Sequence, residues 1–138
     1  MDRALATRVA WSLHGLPYRW GGDDPMQGFD CSGLVIEILR SVGLVAREGD
    51  WTADDLYFKY HHLEQPAPYE GCLAFWRRGG RMTHVEYCID DKHTIGASGG
   101  GSATTDLFAA IAANAYVKVR PIRIGAVIVD PFKLDGPA

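Results

Sequence analysis

The chain has 138 residues, of which 47% are hydrophobic and 22% charged, and a net charge of −3 at pH 7. That length favours one compact domain around one core, and the composition is that of an ordinary globular protein. The net charge gives no electrostatic footprint for nucleic acid, which usually needs a concentrated basic face.

No stretch approaches the roughly 20 apolar residues of a membrane span. The N-terminus, "MDRALATRVAWSL", lacks the apolar core of a secretory signal. The expectation is a chain made in the cytoplasm that reaches other compartments only by a separate route. Three cysteines, Cys31, Cys72 and Cys88, cannot all pair within one chain, and no Cys-x-x-Cys or Cys-x-x-His spacing suggests zinc. A free thiol is expected.

In chain order, residues 3–15 read as a helix, with Leu5, Val9 and Leu13 at helical spacing and Gly15 and Pro17 ending it. The segment "PYRWGGDDPMQGFD" reads as irregular, because its glycines, aspartates and Pro25 oppose regular structure. From Cys31, the apolar residues Leu34, Val35, Ile38, Leu39 and Val42 form the stripe of a packed helix. Asp30 is its N-cap candidate and Gly43 its stop. A further helix over 52–60 opens at Thr52, with Asp54 and Asp55 in its first turn. "EQPAPYEG" reads as a loop.

The periodicity then changes. "CLAFWRR", "THVEYCID" and "HTIGAS" read as successive antiparallel strands. The cluster Arg77, Arg78 and Arg81 around Gly79 and Gly80 reads as a solvated hairpin turn rather than an anion site. "GASGGGSATTD" lacks the Gly-Lys-Ser/Thr of a phosphate loop and reads as a flexible loop beside a cleft. "TTDLFAAIAANA" is helical in composition, "YVKVRPIRI" reads as a strand, and "AVIVDPF" as a last strand before a polar tail. Helices first and strands afterwards imply an α+β fold, with N-terminal helices on an antiparallel sheet of about five to six strands. One domain over 1–138 is expected, with its core in about 1–124 and a C-terminal strand and tail over 125–138.

Cys31 stands where a polar turn becomes a helix. Unsatisfied N–H groups in a first turn favour a thiolate and also suit a developing oxyanion. Asp30 opposes this unless its carboxylate is occupied in capping. Such a nucleophile needs an imidazole partner. Of His14, His61, His62, His84 and His93, only His84 opens a rigid strand, "HVEYCI". On the residues alone two readings stand: a Cys31/His84 pair, or a buried structural cysteine with a histidine at a strand edge.

The stretch "YRWGGDDPMQGFDCSGLV" resembles the signature of the NlpC-type cell-wall peptidase family, a branch of the papain-like cysteine peptidases. Tyr18, Gly21, Gly22 and the run Asp30, Cys31, Ser32, Gly33, Leu34 and Val35 carry the resemblance. "EGCLAFW" and "THVEYCID" resemble the family's following strands, so that it spans roughly 1–124. The resemblance implies a papain-like fold, with Cys31 as nucleophile and His84 as base. It also implies cleavage of amide bonds in peptidoglycan stem peptides, typically between D-glutamate and a diamino acid. Asp30 and Ser32 then help hold the substrate's amine and backbone, and Tyr18 lines the cysteine pocket. Trp20 forms an aromatic wall or a packed core residue. No metal and no organic cofactor is implied.

Three positions depart from the family pattern. The third polar residue that orients the imidazole falls on Gly96, which has no side chain. The expectation is a dyad helped by backbone or water, with His93 or Ser98 as alternative substitutes. Cys72 replaces the usual aspartate and reads as structural rather than as a resolving thiol, and Cys88 reads as core. Glu86 replaces a glycine on the face of His84; a solvent-facing carboxylate is expected there, against one that narrows the cleft.

The leading expectation is therefore a cysteine amidase acting on peptidoglycan. A phage-like tail particle, a lysis pore or a toxin secretion route would bring it to its substrate, the first with tail proteins as partners. An intracellular amidase recycling wall peptides and a catalytically silent binding module remain the alternatives.

Overall fold

The computed structural model describes residues 3–24, 28–46 and 51–133; Pro25 and the polar tail from residue 134 lie outside them. The helices are α1 (Arg3–Ser12), α2 (Cys31–Ser41), α3 (Ala53–Tyr60) and α4 (Leu107–Ala113). The strands are β1 (Asp23–Asp24), β2 (Gly28–Phe29), β3 (Glu64–Gln65), β4 (Leu73–Arg78), β5 (Arg81–Cys88), β6 (His93–Ser98), β7 (Tyr116–Pro121) and β8 (Val127–Val129). A single 3₁₀ turn, His61–Leu63, follows α3.

β3 to β8 form one antiparallel sheet in the order β3-β8-β4-β5-β6-β7. β4, β5, β6 and β7 are sequential neighbours, as short connections between antiparallel strands favour. β8 returns to the far edge of β4. This is the α+β architecture that the sequence implied, with α2 and α3 packed on β5 and α1 packed on α2.

α2, α3 and α4 each start where a side chain satisfies an otherwise orphaned N–H group. Asp30 accepts from the Gly33 N–H at 2.7 Å. Thr52 and Asp55 form a reciprocal capping box. Asp106 accepts from the Ala109 N–H at 2.9 Å. α2 buries Leu34, Val35, Ile38 and Leu39 as its stripe requires, and Ile36 as well. Ile36 lies off the stripe, and it is buried because other elements flank the helix. Each such side chain contributes roughly 1.5–3 kcal/mol, which makes α2 the axis of the core.

Some expectations are corrected. α1 ends at Ser12 and buries Ala6 and Ala10, with Leu13 buried in the turn after it and Leu5 exposed; the small alanines let it lie close to α2. The segment read as irregular contains the β1–β2 pairing, Asp23 opposite Phe29 and Asp24 opposite Gly28. Glu64 and Gln65, read as part of a loop, pair with β8. The second face of the sheet carries a smaller apolar cluster of its own, Cys72, Ala74, Cys88 and Ile128, with Tyr69, Trp76, Ile122 and Ala126 packed against it. Both cysteines are thus structural.

The start of α1 is tied to the segment after β8. Arg3 makes a bidentate pair with buried Asp130, at 2.7 and 2.8 Å. Asp130 also accepts from the Tyr69 hydroxyl and the Phe132 N–H. These donors hold the Asp130 carboxyl below its usual range, against the opposing effect of its burial.

Candidate active site

The site forms where the start of α2 meets the β4–β5 hairpin. Asp30, the N-cap, has its carboxylate engaged by the Gly33 N–H and by the Gly21 N–H at 3.2 Å. Ser32 Oγ lies 3.4 Å from the same carboxylate. The charge that opposed a thiolate is therefore occupied in capping. The glycine of "CSG" has a steric cause, since a Cβ on Gly33 would lie 2.0 Å from the Gly22 carbonyl oxygen. The turn carrying Gly22 lies directly against the helix and fixes where Cys31 emerges.

Opposite Cys31, the β4–β5 ladder breaks register. Trp76 pairs with His84 and Arg77 with Met82, so that Thr83 is the extra residue of a bulge. Bulges bend a strand and re-aim its groups. Here the Thr83 carbonyl faces the Cys31 Sγ at 3.9 Å, and His84 projects toward the thiol. Cys31 and His84 line the same cavity, and the nearby sulfur raises the His84 pKa. The structure therefore brings together the two residues that the sequence paired.

The third member of this array is Glu86. His84 Nε2 is 2.6 Å from Glu86 Oε2, which leaves Nδ1 as the ring nitrogen for the sulfur. Glu86 is 1% exposed. Its carboxylate also accepts from Thr94 Oγ1 at 2.6 Å and from an Arg120 N–H at 2.6 Å. Burial alone would lower the His84 pKa, but the nearby Cys31 sulfur and the Glu86 carboxylate dominate and push it up to about 9. Burial raises the Glu86 carboxyl, yet His84, Thr94 and Arg120 outweigh it and hold the group well below the carboxylate range.

Glu86 corrects the sequence reading twice. It does not face solvent, because His84, Thr94 and Arg120 enclose its carboxylate. Nor is the imidazole left to backbone or water, because Glu86 takes up the space that Gly96 leaves. A Cβ on Gly96 would lie 2.4 Å from Glu86 Cγ. The signal lay in the sequence: a carboxylate replaces glycine on the face of His84, and a glycine stands at the usual third position. The pair exchanges volume across two strands.

The remaining candidates divide. Tyr18, Trp20, Asp30, Ser32 and Ser98 line one cleft of about 930 Å³ together with Cys31 and His84. Tyr18 is buried, and burial together with the nearby Cys31 and Asp30 raises its pKa, so that the hydroxyl keeps its proton. Trp20 is exposed at the rim, which makes it a wall residue and not a core one. Residues 99–101 border the cleft, as expected of the glycine-rich run. His93 does not reach the site: its Nδ1 pairs with Asp90 at 3.1 Å. Ser98 lines the cleft without a partner for its Oγ among the described residues. The arginine turn is an exposed hairpin, as the sequence implied, and Arg77, Arg78 and Arg81 also border the cleft, with Arg120 and Arg123.

Comparison with known proteins gives a consistent result. Residues 15–121 match the NlpC/P60 family. Over 88 residues the chain is 44% identical to murein DD-endopeptidase MepH of Escherichia coli, covering 56% of this chain and 30% of that protein. It is 31% identical over 110 residues to peptidoglycan endopeptidase RipB of Mycobacterium tuberculosis, covering 71% of this chain and 44% of that one. The chain thus spans less than half the length of either relative. The crystal structure of the P60 domain of the M. avium subspecies paratuberculosis antigen MAP1204 superposes with a TM-score of 0.71 at 26% identity, covering 96% of each chain.

Proposed function

The chain belongs to the NlpC/P60 family, and on that premise we propose that it is a cysteine peptidase that hydrolyses amide bonds in peptidoglycan stem peptides. Wall endopeptidase names among its relatives support the substrate class. The observation that carries the chemistry is that Cys31 and His84 line one cavity, with buried Glu86 holding the His84 ring at 2.6 Å.

In this reading the His84 ring carries the proton given up by Cys31, and the thiolate attacks the scissile carbonyl carbon. The carbonyl electron pair moves onto oxygen. That oxyanion meets the N–H groups of the first turn of α2 and the Tyr18 hydroxyl. As the C–N bond breaks, His84 protonates the leaving amine, and an acyl-enzyme remains. Water then gives its proton to the imidazole, attacks the thioester and releases the acid, which restores the thiol. Glu86 holds the ring and balances the imidazolium, as the carboxylate does in a serine triad. The scissile bond is proposed to join D-glutamate to a diamino acid.

A silent module was attractive only while the imidazole lacked an orienting group, and Glu86 removes that reason. No protein named above is a tail component, and the tail-particle reading gains nothing from them. The test is release of new amino and carboxyl termini from purified peptidoglycan and from soluble stem peptides. The wild type yields product, whereas Cys31→Ala and His84→Ala yield none. Equal product from wild type and Cys31→Ala contradicts the proposal. Cleavage of soluble peptides alone, with intact sacculi untouched, favours recycling.

A further inference from the structure

We propose that the arginine rim of the cleft is a carboxylate-binding subsite that selects peptides with free carboxyl groups over the same peptides carrying carboxamides. This rests on the endopeptidase reading and names its substrate more closely.

Five arginines, Arg77, Arg78, Arg81, Arg120 and Arg123, line the cavity that holds Cys31 and His84. Among the described residues, the one carboxylate lining that cavity is Asp30, which is committed to the Gly33 and Gly21 N–H groups. Arg120 is committed to Glu86 at 2.6 Å. Among the described residues, the other four have no carboxylate within ion-pair distance. A protein with net charge −3 thus concentrates unpaired positive charge on the wall of its reactive cleft. Such focusing raises the local concentration of anions.

One of these cations is held in place. The Arg123 guanidinium lies 4.6 Å from the Trp76 ring centroid, and Trp76 lies 5.6 Å from the His84 ring. Stacking on an aromatic face leaves the N–H edge of a guanidinium free for a planar acid group. Arg77 is likewise within 5.7 Å of the Tyr57 ring. Ser98 provides a second, independent indication. Its buried Oγ lines the same cavity and has no partner among the described residues, so it is a donor left for a ligand. The cations come from two elements, the β4–β5 hairpin and the segment after β7. That arrangement suits single carboxylates along an extended peptide better than one compact phosphate. Free acids gain charge-assisted pairs here, and carboxamides do not.

Cys31 itself is the probe. Cys72 and Cys88 are fully buried, so alkylation reads Cys31. The iodoacetate-to-iodoacetamide rate ratio is predicted to exceed that of a small free thiol. It should fall about threefold for each of Arg81→Gln and Arg123→Gln, and fall likewise in 1 M salt. In parallel, the ratio of kcat/KM for free-acid over carboxamide stem peptides should drop with the same substitutions. An alkylation ratio indifferent to both arginines and to salt overturns the subsite. So does stronger retention of a phosphate-bearing wall polymer with no discrimination by amidation, which would reassign the rim to phosphate. Charge-dependent alkylation with no peptide hydrolysed sinks the endopeptidase reading instead and leaves the anion site standing.

Discussion

A Cβ on residue 96 would lie 2.4 Å from the Cγ of Glu86 and 2.5 Å from its Cδ. The orienting carboxylate therefore exists at 86 only because 96 is glycine. Glu86→Gln keeps the shape but removes the charge that helps hold the His84 proton. We expect kcat/KM to fall about tenfold or more, and the alkaline limb of the pH profile to move to lower pH. The double variant Glu86→Gly with Gly96→Glu returns the carboxylate to the same space from the neighbouring strand. It should recover activity that Glu86→Gly alone loses. A merely structural role for Glu86 predicts neither the moved limb nor the recovery. The sequence disclosed both substitutions but not their relation, since pairing across β5 and β6 is a property of the folded sheet. Alternation along one strand gives the shared face of His84 and Glu86, yet says nothing of whether that face is covered.

Caps and stripes carried most of the legible structure. Asp30, Thr52 and Asp106 each sit where a helix begins, because short polar side chains reach the second or third N–H of a helix. β4, β5, β6 and β7 were legible from aromatic and β-branched runs broken by turns. The two-residue strands were not, because their pairing comes wholly from partners distant in sequence, such as Glu64 with Val129. Two caps separate stability from function. Asp30→Ala and Thr52→Ala should each cost about 1 kcal/mol in urea unfolding. Only Asp30→Ala should also change the alkylation rate of Cys31, because only Asp30 joins the Gly21 turn to the reactive helix start. Equal effects on alkylation would refute a special role for that turn.

At the scale of the whole molecule, α2 and the sheet serve as two rigid bodies that hold a sulfur against an imidazole. Sequence alone named both groups, since motif and order along the chain suffice for that. The electrostatic setting was hidden, because it depends on burial. The folded His84 pKa, about 9, lies above its ordinary 6.5. Its contribution to stability is therefore full below about 6.5 and is lost as pH rises through 9. Glu86 is shifted the other way, so its contribution is present above its ordinary 4.5 and is lost as pH falls well below that. Together they support the fold most fully between about pH 4.5 and 6.5, and the imidazolium persists into mildly alkaline solution.

The most direct measurement is a nitrogen-15 NMR titration of the His84 ring in the wild type and in Glu86→Gln. A protonated ring up to about pH 9 in the wild type, with a clearly lower midpoint in the variant, is the predicted result. A midpoint near 6.5, unchanged when the carboxylate is removed, would contradict the Cys31–His84–Glu86 array.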